Sequence, residues 1–551
     1  MATSSSRGIP AQTQEWFSAI LLASGRIRYA LALLAGGIAA LAMQPIDFLP
    51  AYLISFPLLV WLLDGLVGGR RASVRGLTGA FLIGWWFGFG YFLAGLWWLG
   101  AAFIVGGDAF LWLMPLGVVG LPAVLALFPA LGLALAHLFW SPGALRVFAL
   151  AFGLGVSEWL RGWVFTGFPW NSFGQAFANH LVLVQLASVI GSEGLGLLAF
   201  VIFAAPAVIL TGRSGLARWG LPVLAAVALC GMAAFGWVRL QSAGGLRIDY
   251  SVLAMVPNVK LRIMQPNIAQ DIKNQQQDGA AVLEQFFALS DVAKGAHASG
   301  VADVTHLIWP ESPFPFVLER TPRALEAITR FLPPGTQLIT GSVRAEPLAE
   351  PSGESRYRYF NSMQALDKTG IIGTYDKVHL VPFGEYLPFD RFLRAMGLEQ
   401  FVKVIGGFSA SPVRKPLAIA GLPAVIPIIC FESIFPHELA TDMRGESVFI
   451  SVTNDAWFGN TFGPYQHLAQ ARMRAVEFGQ PLVRAANSGV SAVFDPYGRE
   501  LASLPLGVAD VLDSPLPTGL PNTLYRWANW YSFASVMIMY FLLALLGRRG
   551  E

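Results

Sequence analysis

The sequence predicts a helical membrane bundle of about eight spans joined to one α/β or α+β domain of layered architecture. Three observations carry that prediction. The 551 residues are 55% hydrophobic and 13% charged, against about 25% charged in ordinary soluble domains. The long apolar runs fall almost wholly before Arg239 or after Tyr525. Between them ordinary charge and Pro/Gly punctuation return, and short β-branched runs alternate with helix-like stretches. The division expected is residues 1–240 as a transmembrane bundle holding all spans but one, 241–522 as an extramembrane domain, and 523–551 as the last transmembrane helix.

Residues 1–10 are polar, and the apolar segments that follow one another after them do not read as a cleaved signal peptide. A span needs about 20 apolar residues. By that measure spans are expected near Arg28–Met43, Phe48–Leu63, Thr78–Ile104, Ala109–Phe139, Leu145–Val164, Leu181–Leu210, Arg218–Val238 and Trp527–Leu546. The first two are short enough to tilt or to pack as half-spans. Basic residues mark alternate loops: Arg70, Arg71 and Arg75, then Arg146, then Arg213 and Arg218, then Arg548 and Arg549. The loops at Gln44–Asp47 and Gly106–Asp108 lack them. The positive-inside rule then puts both termini in the cytoplasm and residues 241–522 on the opposite face, the periplasm of a bacterium. On that face Glu158–Asn171 mixes aromatics with charge. Trp163, Phe168 and Trp170 read either as ordinary interfacial anchors or as the floor of a lipid-entry site. Glu158 and Arg161 are spaced to pair on a helix. No chain of acids and bases crosses the bundle, and no Gly/Pro-broken repeat pair is visible, so a transporter has little support.

In the extramembrane half, Val259–Gln265 and His306–Trp309 read as strands around a helix at Ala280–Ala298. Pro310-Glu311-Ser312 closes the second strand. A helix at Thr321–Leu332 precedes strands at Gln337–Val343, Tyr359–Leu366 and Ile371–Tyr375, and the chain leaves the last through Asp376-Lys377. Arg391–Ile405 reads as an added arm, either a lid that touches lipid or a packed helix. The apolar run Ala424–Ile429 delivers Cys430-Phe431-Glu432 to a strand end. Ser447–Thr453 runs into Asn454-Asp-Ala-Trp-Phe-Gly459, a helix follows at Tyr465–Phe478, and Leu482–Ala486 and Ser491–Asp495 complete the strands.

The chain has two cysteines, which excludes a disulfide framework. Cys230 lies in an apolar segment, so Cys430 is the thiol of the polar half. It reads as an inert core cysteine or as a nucleophile. Its company decides what chemistry is available, because Glu311, Lys377 and Cys430 stand at three strand ends, where sites in α/β sheets gather. A thiol with an ordinary pKa near 8.5 needs help to react at neutral pH. Glu311 is suited to take its proton, and Lys377 to favour the thiolate and the oxyanion of a tetrahedral intermediate. Glu311 as a turn cap, and Lys377 and Glu385 as solvated surface charges, are the plain alternatives. A net charge of +3 argues against a nucleic-acid partner. His437-Glu438 lacks the second histidine of a zinc helix, since position 441 is Thr. His306, His379 and His467 stand singly and are expected to be structural. No G-x-S-x-G elbow or P-loop is present.

Together these stretches resemble the nitrilase, or carbon–nitrogen hydrolase, superfamily. Its Glu-Lys-Cys triad falls on Glu311 in Trp-Pro-Glu-Ser, Lys377 in Tyr-Asp-Lys-Val-His-Leu and Cys430 in Ile-Cys-Phe-Glu. The resemblance implies an αββα sandwich over Gln241–Leu516. The membrane half narrows it to the apolipoprotein N-acyltransferase family of bacterial inner membranes. That closer resemblance rests on Glu158–Trp170, on Leu380-Val-Pro-Phe-Gly-Glu-Tyr-Leu-Pro388 and on Asn454–Gly459. It rests further on Arg472-Met-Arg-Ala-Val-Glu477 and Arg484-Ala-Ala-Asn-Ser-Gly489, and it covers nearly the whole chain. It implies a phospholipid acyl donor, chiefly phosphatidylethanolamine, whose sn-1 chain passes through a Cys430 thioester. The acceptor implied is the α-amino group of the S-diacylglyceryl cysteine of an apolipoprotein. Glu385 and Glu432 would support the site, Glu385 by orienting Lys377. Phe431 and Trp457 are candidate substrate contacts. Family members often carry Tyr after the cysteine; Phe431 supplies no hydroxyl there. No aromatic stands near Asn274, so no lipid contact is expected at that point. No metal or organic cofactor is implied, and a monomer in the bilayer suffices. The alternative within the same fold is a membrane-tethered amidase that releases acid to water.

Overall fold

Apolar sequence turns into helix along most of the first 240 residues, but not into eight equal spans. The computed structural model describes residues 11–66, 74–105, 108–212, 215–268, 279–294, 298–352, 355–395, 407–439 and 445–549. Among these, five helices are long and apolar enough to cross a membrane: Val74–Val105, Leu111–Leu138, Ala187–Leu210, Gly215–Gln241 and Trp530–Arg549. A sharply bent pair, Gln12–Leu22 with Gly25–Ala40, brings the number to six if it counts as one span. The expected count of eight is not reached by that measure. The shortfall has visible causes. Leu49–Asp64 is short and carries Pro57 inside it. Arg146–Trp163 is interrupted by charge, with Arg146, Glu158 and Arg161 on one helix. Both arginines are buried, and each is paired, Arg146 with Asp64 at 3.0 Å and Arg161 with Glu158 at 2.8 Å. Buried charges in such a bundle persist only when paired in this way. Small residues set the closest approach: a Cβ on Gly36 would lie 1.9 Å from the Phe87 carbonyl oxygen of a neighbouring helix.

The chain divides into two compact units. One comprises Met1–Gly100, Trp112–Leu240 and Trp527–Glu551; the other comprises Ala101–Leu111 and Gln241–Arg526. Among its described residues the second unit contains eleven strands: β1 (Leu261–Gln265), β2 (His306–Ile308), β3 (Gln337–Ser352), β4 (Ser355–Asp367), β5 (Gly370–Asp376), β6 (Ala424–Ile429), β7 (Ser447–Thr453), β8 (Leu482–Ala486), β9 (Ser491–Phe494), β10 (Glu500–Leu504) and β11 (Asp510–Ser514). They form a six-stranded sheet in the order β11-β1-β2-β3-β4-β5 and a five-stranded sheet in the order β10-β9-β8-β7-β6. The pairs β1–β2, β2–β3, β6–β7 and β7–β8 are parallel.

Period-two side-chain alternation sorts each strand between two cores. Ile263, Ile308 and Ile339 from one sheet meet Val425, Ile429, Val448 and Val483 from the other in a shared inner core. Met264, Leu307 and Leu338 point the other way, into a layer with Val282 and Phe286 of helix Gly279–Ser290 and Ile328 of helix Pro322–Phe331. Ile426, Ile428 and Phe449 face Ala471, Ala475 and Phe478 of helix Gly463–Phe478. The layers therefore run helix, sheet, sheet, helix. Strands covered on both faces read as unbroken apolar runs, which is why Ala-Val-Ile-Pro-Ile-Ile shows no alternation. Pro427 is tolerated because β6 lies at a sheet edge. Of the expected arm at Arg391–Ile405, helix Asp390–Ala395 is seen and residues 396–406 lie outside the described residues. Arg70, Arg71, Arg213 and Asn274 lie outside them too.

Candidate active site

Glu311, Lys377 and Cys430 arrive from three strands, and local sequence explains each arrival. Glu311 follows β2 through Trp309-Pro310, and its backbone lies against β3 at Gly341. A Cβ there would stand 2.6 Å from the Glu311 Cα and 2.9 Å from the Pro310 oxygen, so the approach needs glycine. Lys377 is the first residue past β5. Its N–H donates to the Asn361 carbonyl at 2.8 Å, continuing the β4–β5 ladder to the site. Cys430 ends β6 at φ +51°, a left-handed turn into the 3₁₀ helix Cys430–Ile434. Such a turn costs an L-residue about 1–2 kcal/mol. Ile429 sits opposite Val452 on β7, which brings Thr453 level with Cys430 and Asn454 one residue beyond.

The polar groups interlock. Asn361, on β4, donates through Nδ2 to Glu311 Oε1 at 2.8 Å and to Glu385 Oε1 at 2.6 Å. Lys377 is fully buried; its Nζ lies 2.9 Å from Glu385 Oε2, 3.0 Å from Glu385 Oε1 and 3.9 Å from Glu311 Oε1. The Asn454 N–H donates to the second oxygen of Glu311 at 2.9 Å. The 380–388 loop folds back on Glu385, whose N–H donates to the Val381 carbonyl at 2.8 Å while its Oε2 accepts from the Val381 N–H at 2.8 Å. Glu432 is saturated with donors. Its Oε1 accepts from the Tyr375 hydroxyl (2.7 Å), the Val378 N–H (2.9 Å), the His379 N–H (3.3 Å) and Arg414 (2.9 Å), and its Oε2 from the Ile429 N–H (2.8 Å). It ties the cysteine turn to the lysine loop. Asn361 and Arg414 carried no local sequence signal, because their partners lie far along the chain.

Charge in this cluster is set by burial. Burial first, then the neighbouring Glu385 charge, raise the Glu311 carboxyl above its ordinary range against the pull of Lys377. Burial opposes the Lys377 ammonium, but Glu385 and then Glu311 outweigh it and hold the group charged. The Cys430 thiol is pushed far up by its low-dielectric surroundings and then by Glu311, with Lys377 opposing. It rests as a neutral thiol beside a carboxylate of raised basicity. Among the described residues no group of three or more His, Cys, Asp or Glu side chains gathers as a metal site.

Residues 35–205 match the family model of the apolipoprotein N-acyltransferase N-terminal domain, and residues 336–517 match that of carbon-nitrogen hydrolase. The apolipoprotein N-acyltransferase of Rhodopseudomonas palustris is 48% identical over 97% of this chain and 97% of its own length. Those of Bradyrhizobium diazoefficiens (46% identical, 96% of this chain, 97% of its own) and Brucella suis (44%, 95% and 96%) are similar over the same extent. The chain belongs to the apolipoprotein N-acyltransferase family. With its apolar helices it is a membrane protein with a separate carbon–nitrogen hydrolase-type α/β unit. Lys377 and Cys430 fall inside the hydrolase match, whereas Glu311 precedes it.

The remaining candidates differ in what they touch. Phe431 is buried, with Phe435 at 5.2 Å and the His379 ring at 5.7 Å between centroids. Trp457 is half-buried in the 3₁₀ turn Asp455–Phe458. Trp163, Phe168 and Trp170 belong to the helical unit. Trp163 is exposed, but Trp170 is buried, with Trp98 at 5.1 Å, so its ring serves packing and not a surface floor. The Phe168 and Trp170 carbonyls accept from Arg161 at 2.5 and 2.8 Å.

Proposed function

We propose that this chain moves the sn-1 acyl chain of a phospholipid, chiefly phosphatidylethanolamine, onto the α-amino group of the S-diacylglyceryl cysteine that begins an apolipoprotein. The observation that carries the reading is the buried Glu311–Asn361–Glu385–Lys377 cluster beside the strained Cys430 turn, in a chain of this family. Glu311 takes the Cys430 thiol proton, and the thiolate attacks the ester carbonyl. Lys377 faces the negative charge that develops on the carbonyl oxygen. Collapse breaks the ester C–O bond, Glu311 returns the proton to the departing oxygen, and a lysophospholipid leaves behind a Cys430 thioester. The acceptor amine then attacks that thioester, gives its proton to Glu311, and the thiol is restored as the amide forms. Glu385 holds Lys377 in place, and Glu432 fixes the turn. Phe431 and Trp457 line the acyl or acceptor path.

Both substrates are lipid-anchored, which supports a site at bilayer height. The basic residues of the short loops support cytoplasmic termini and a periplasmic α/β unit in the inner membrane. A monomer meets these needs. Residues 1–240 and 523–551 would be the membrane part, and 241–522 the catalytic part. The test is to incubate purified protein with phosphatidylethanolamine and to look for acyl-Cys430 by mass spectrometry, then to add a diacylglyceryl peptide. The adduct should form and discharge onto the peptide amine. Cys430→Ala should abolish both steps and Cys430→Ser nearly so. Absence of the adduct on folded wild-type protein would sink the proposal, and discharge to free fatty acid alone would favour a hydrolase.

A further inference from the structure

Behind the cysteine turn lies a second buried charged cluster that the proposed reaction does not use. Asp455, His467 and Arg484 come from the turn after β7, from helix Gly463–Phe478 and from β8, and all are at most 2% exposed. His467 Nε2 stands 3.0 Å from the Cys430 carbonyl oxygen. A carbonyl only accepts, so Nε2 carries the hydrogen. On the other side of the ring Nδ1 lies 2.9 Å from Asp455 Oδ1 and 3.0 Å from Arg484 Nη2. The neutral imidazole accepts there from Arg484; the imidazolium would donate to Asp455. Either state leaves the Nε2 hydrogen on the cysteine carbonyl. Arg484 is itself fixed by Asp455 at 2.7 Å. The Thr453 hydroxyl donates to Asp455 at 2.9 Å and lies within hydrogen-bonding reach of the Cys430 thiol.

We propose that Asp455, His467 and Arg484 are positioning residues for Cys430, with the His467 Nε2–H holding the carbonyl of the left-handed turn that presents the thiol. The inference rests on the reading of Cys430 as the nucleophile. A left-handed conformation at a non-glycine residue, φ +51° at Cys430, persists only where its surroundings hold it. His467 bonds the strained residue itself, while Asp455 orients the threonine beside its sulfur. Three buried charged or polar side chains are costly in a core unless they hold a geometry the fold would otherwise relax.

The test separates the donor to Cys430 from the bulk of the ring. In His467→Gln the side-chain amide nitrogen takes the place of Nε2 and still reaches the carbonyl. In His467→Asn it takes the place of Nδ1, keeps the link to Asp455 and loses the carbonyl. Acyl-Cys430 formation from phosphatidylethanolamine is followed in single turnover against lipid concentration. The Gln variant should stay within about threefold of wild type and the Asn variant should fall by at least about tenfold, since small misplacements of a reacting atom cost that much. The half-saturating lipid concentration should hold in both. Equal rates in the two variants, or an Asn variant as fast as wild type, would overturn the proposal. A wild-type Cys430 that takes no acyl group would instead overturn the reading of Cys430, and this inference with it.

Discussion

Asn361 offers the sharpest probe of Glu311 as the proposed base. Its one amide nitrogen holds Glu311 at 2.8 Å and Glu385 at 2.6 Å. Asn361→Leu keeps the branched four-atom skeleton and removes both donated hydrogen bonds. A hydrogen bond to a charged group is worth about 1.5–3 kcal/mol net. Taking that from the ionised form of Glu311 favours its protonated form by roughly ten- to a hundredfold. The sign follows from the environment. Glu311 already stands above the ordinary carboxyl range, through burial first and Glu385 second. Losing a donor to the carboxylate pushes it further up, so the basic form becomes scarcer at any given pH. The acid limb of the acylation rate should therefore move to higher pH in the variant. Lys377 keeps its contact with Glu385, so activity should return as pH rises. The assay is the rate of acyl-Cys430 formation across pH, with the melting temperature of each protein taken alongside. An acid limb that does not move, or a loss equal at every pH, would refute the assignment of Glu311 as the base held by Asn361.

Three other outcomes follow from the same contacts. Glu432→Gln leaves the buried Arg414 with Glu438, at 3.8 Å, as its remaining acidic partner and should cost about 3 kcal/mol near pH 7. Burial opposes the Glu432 charge, but Arg414 and the converging donors hold its pKa below the ordinary range. Its contribution is therefore complete above the usual glutamate pKa and lost as pH falls through the lower folded value, so the melting-temperature gap to wild type should shrink below about pH 4. Gly341→Ala forces a Cβ to within 2.6 Å of the Glu311 Cα; acylation should fall more than about tenfold, while the stability loss stays near the 1–3 kcal/mol of an overpacked core. Trp170→Ala should lower the melting temperature strongly, as a large-to-small change worth about 3–5 kcal/mol, whereas exposed Trp163→Ala should leave it within about 0.5 kcal/mol of wild type. Equal melting temperatures for the two tryptophan variants would contradict the packing described for Trp170.

What the sequence made legible is what short-range pattern encodes. The largely apolar runs at β1, β6, β7 and β8 announced themselves because each is covered on both faces. The ends of β2, β5 and β6 were visible because polar or proline-rich residues follow them, and these ends carry Glu311, Lys377 and Cys430. Strands β10 and β11 were not expected. Half of their residues are charged or hydroxylic, and exposed positions interrupt the burial, and β11 is fixed by distant partners such as the Arg262–Asp513 pair at 2.7 Å. Strands β3 and β4 run on well past the expected ends as a polar hairpin, held by ladder pairing from Leu338–Leu366 to Pro347–Tyr357 and not by burial. Asn361 was hidden for a related reason. Mid-strand polar residues look alike until the register shows which of them meets a buried carboxylate. His467, expected to be an isolated structural histidine, meets Cys430 only because helix Gly463–Phe478 packs beneath the turn.

The distribution of charge also bears on when the proposed nucleophile would form. Two buried carboxylates, Glu311 and Glu385, share one ammonium. A resting thiolate would add a further anion to a buried region already short of positive charge, and burial first, then the Glu311 charge, raise the Cys430 thiol above its ordinary range. Moving the proton from sulfur to Glu311 leaves the total charge unchanged. In the proposed reaction the reactive form is then made in the presence of substrate and not stored. For an unpaired cysteine proposed to face an oxidising compartment this arrangement has a second effect. Oxidation proceeds through the thiolate, so a site that keeps its sulfur protonated until an ester is at hand also protects it between turnovers.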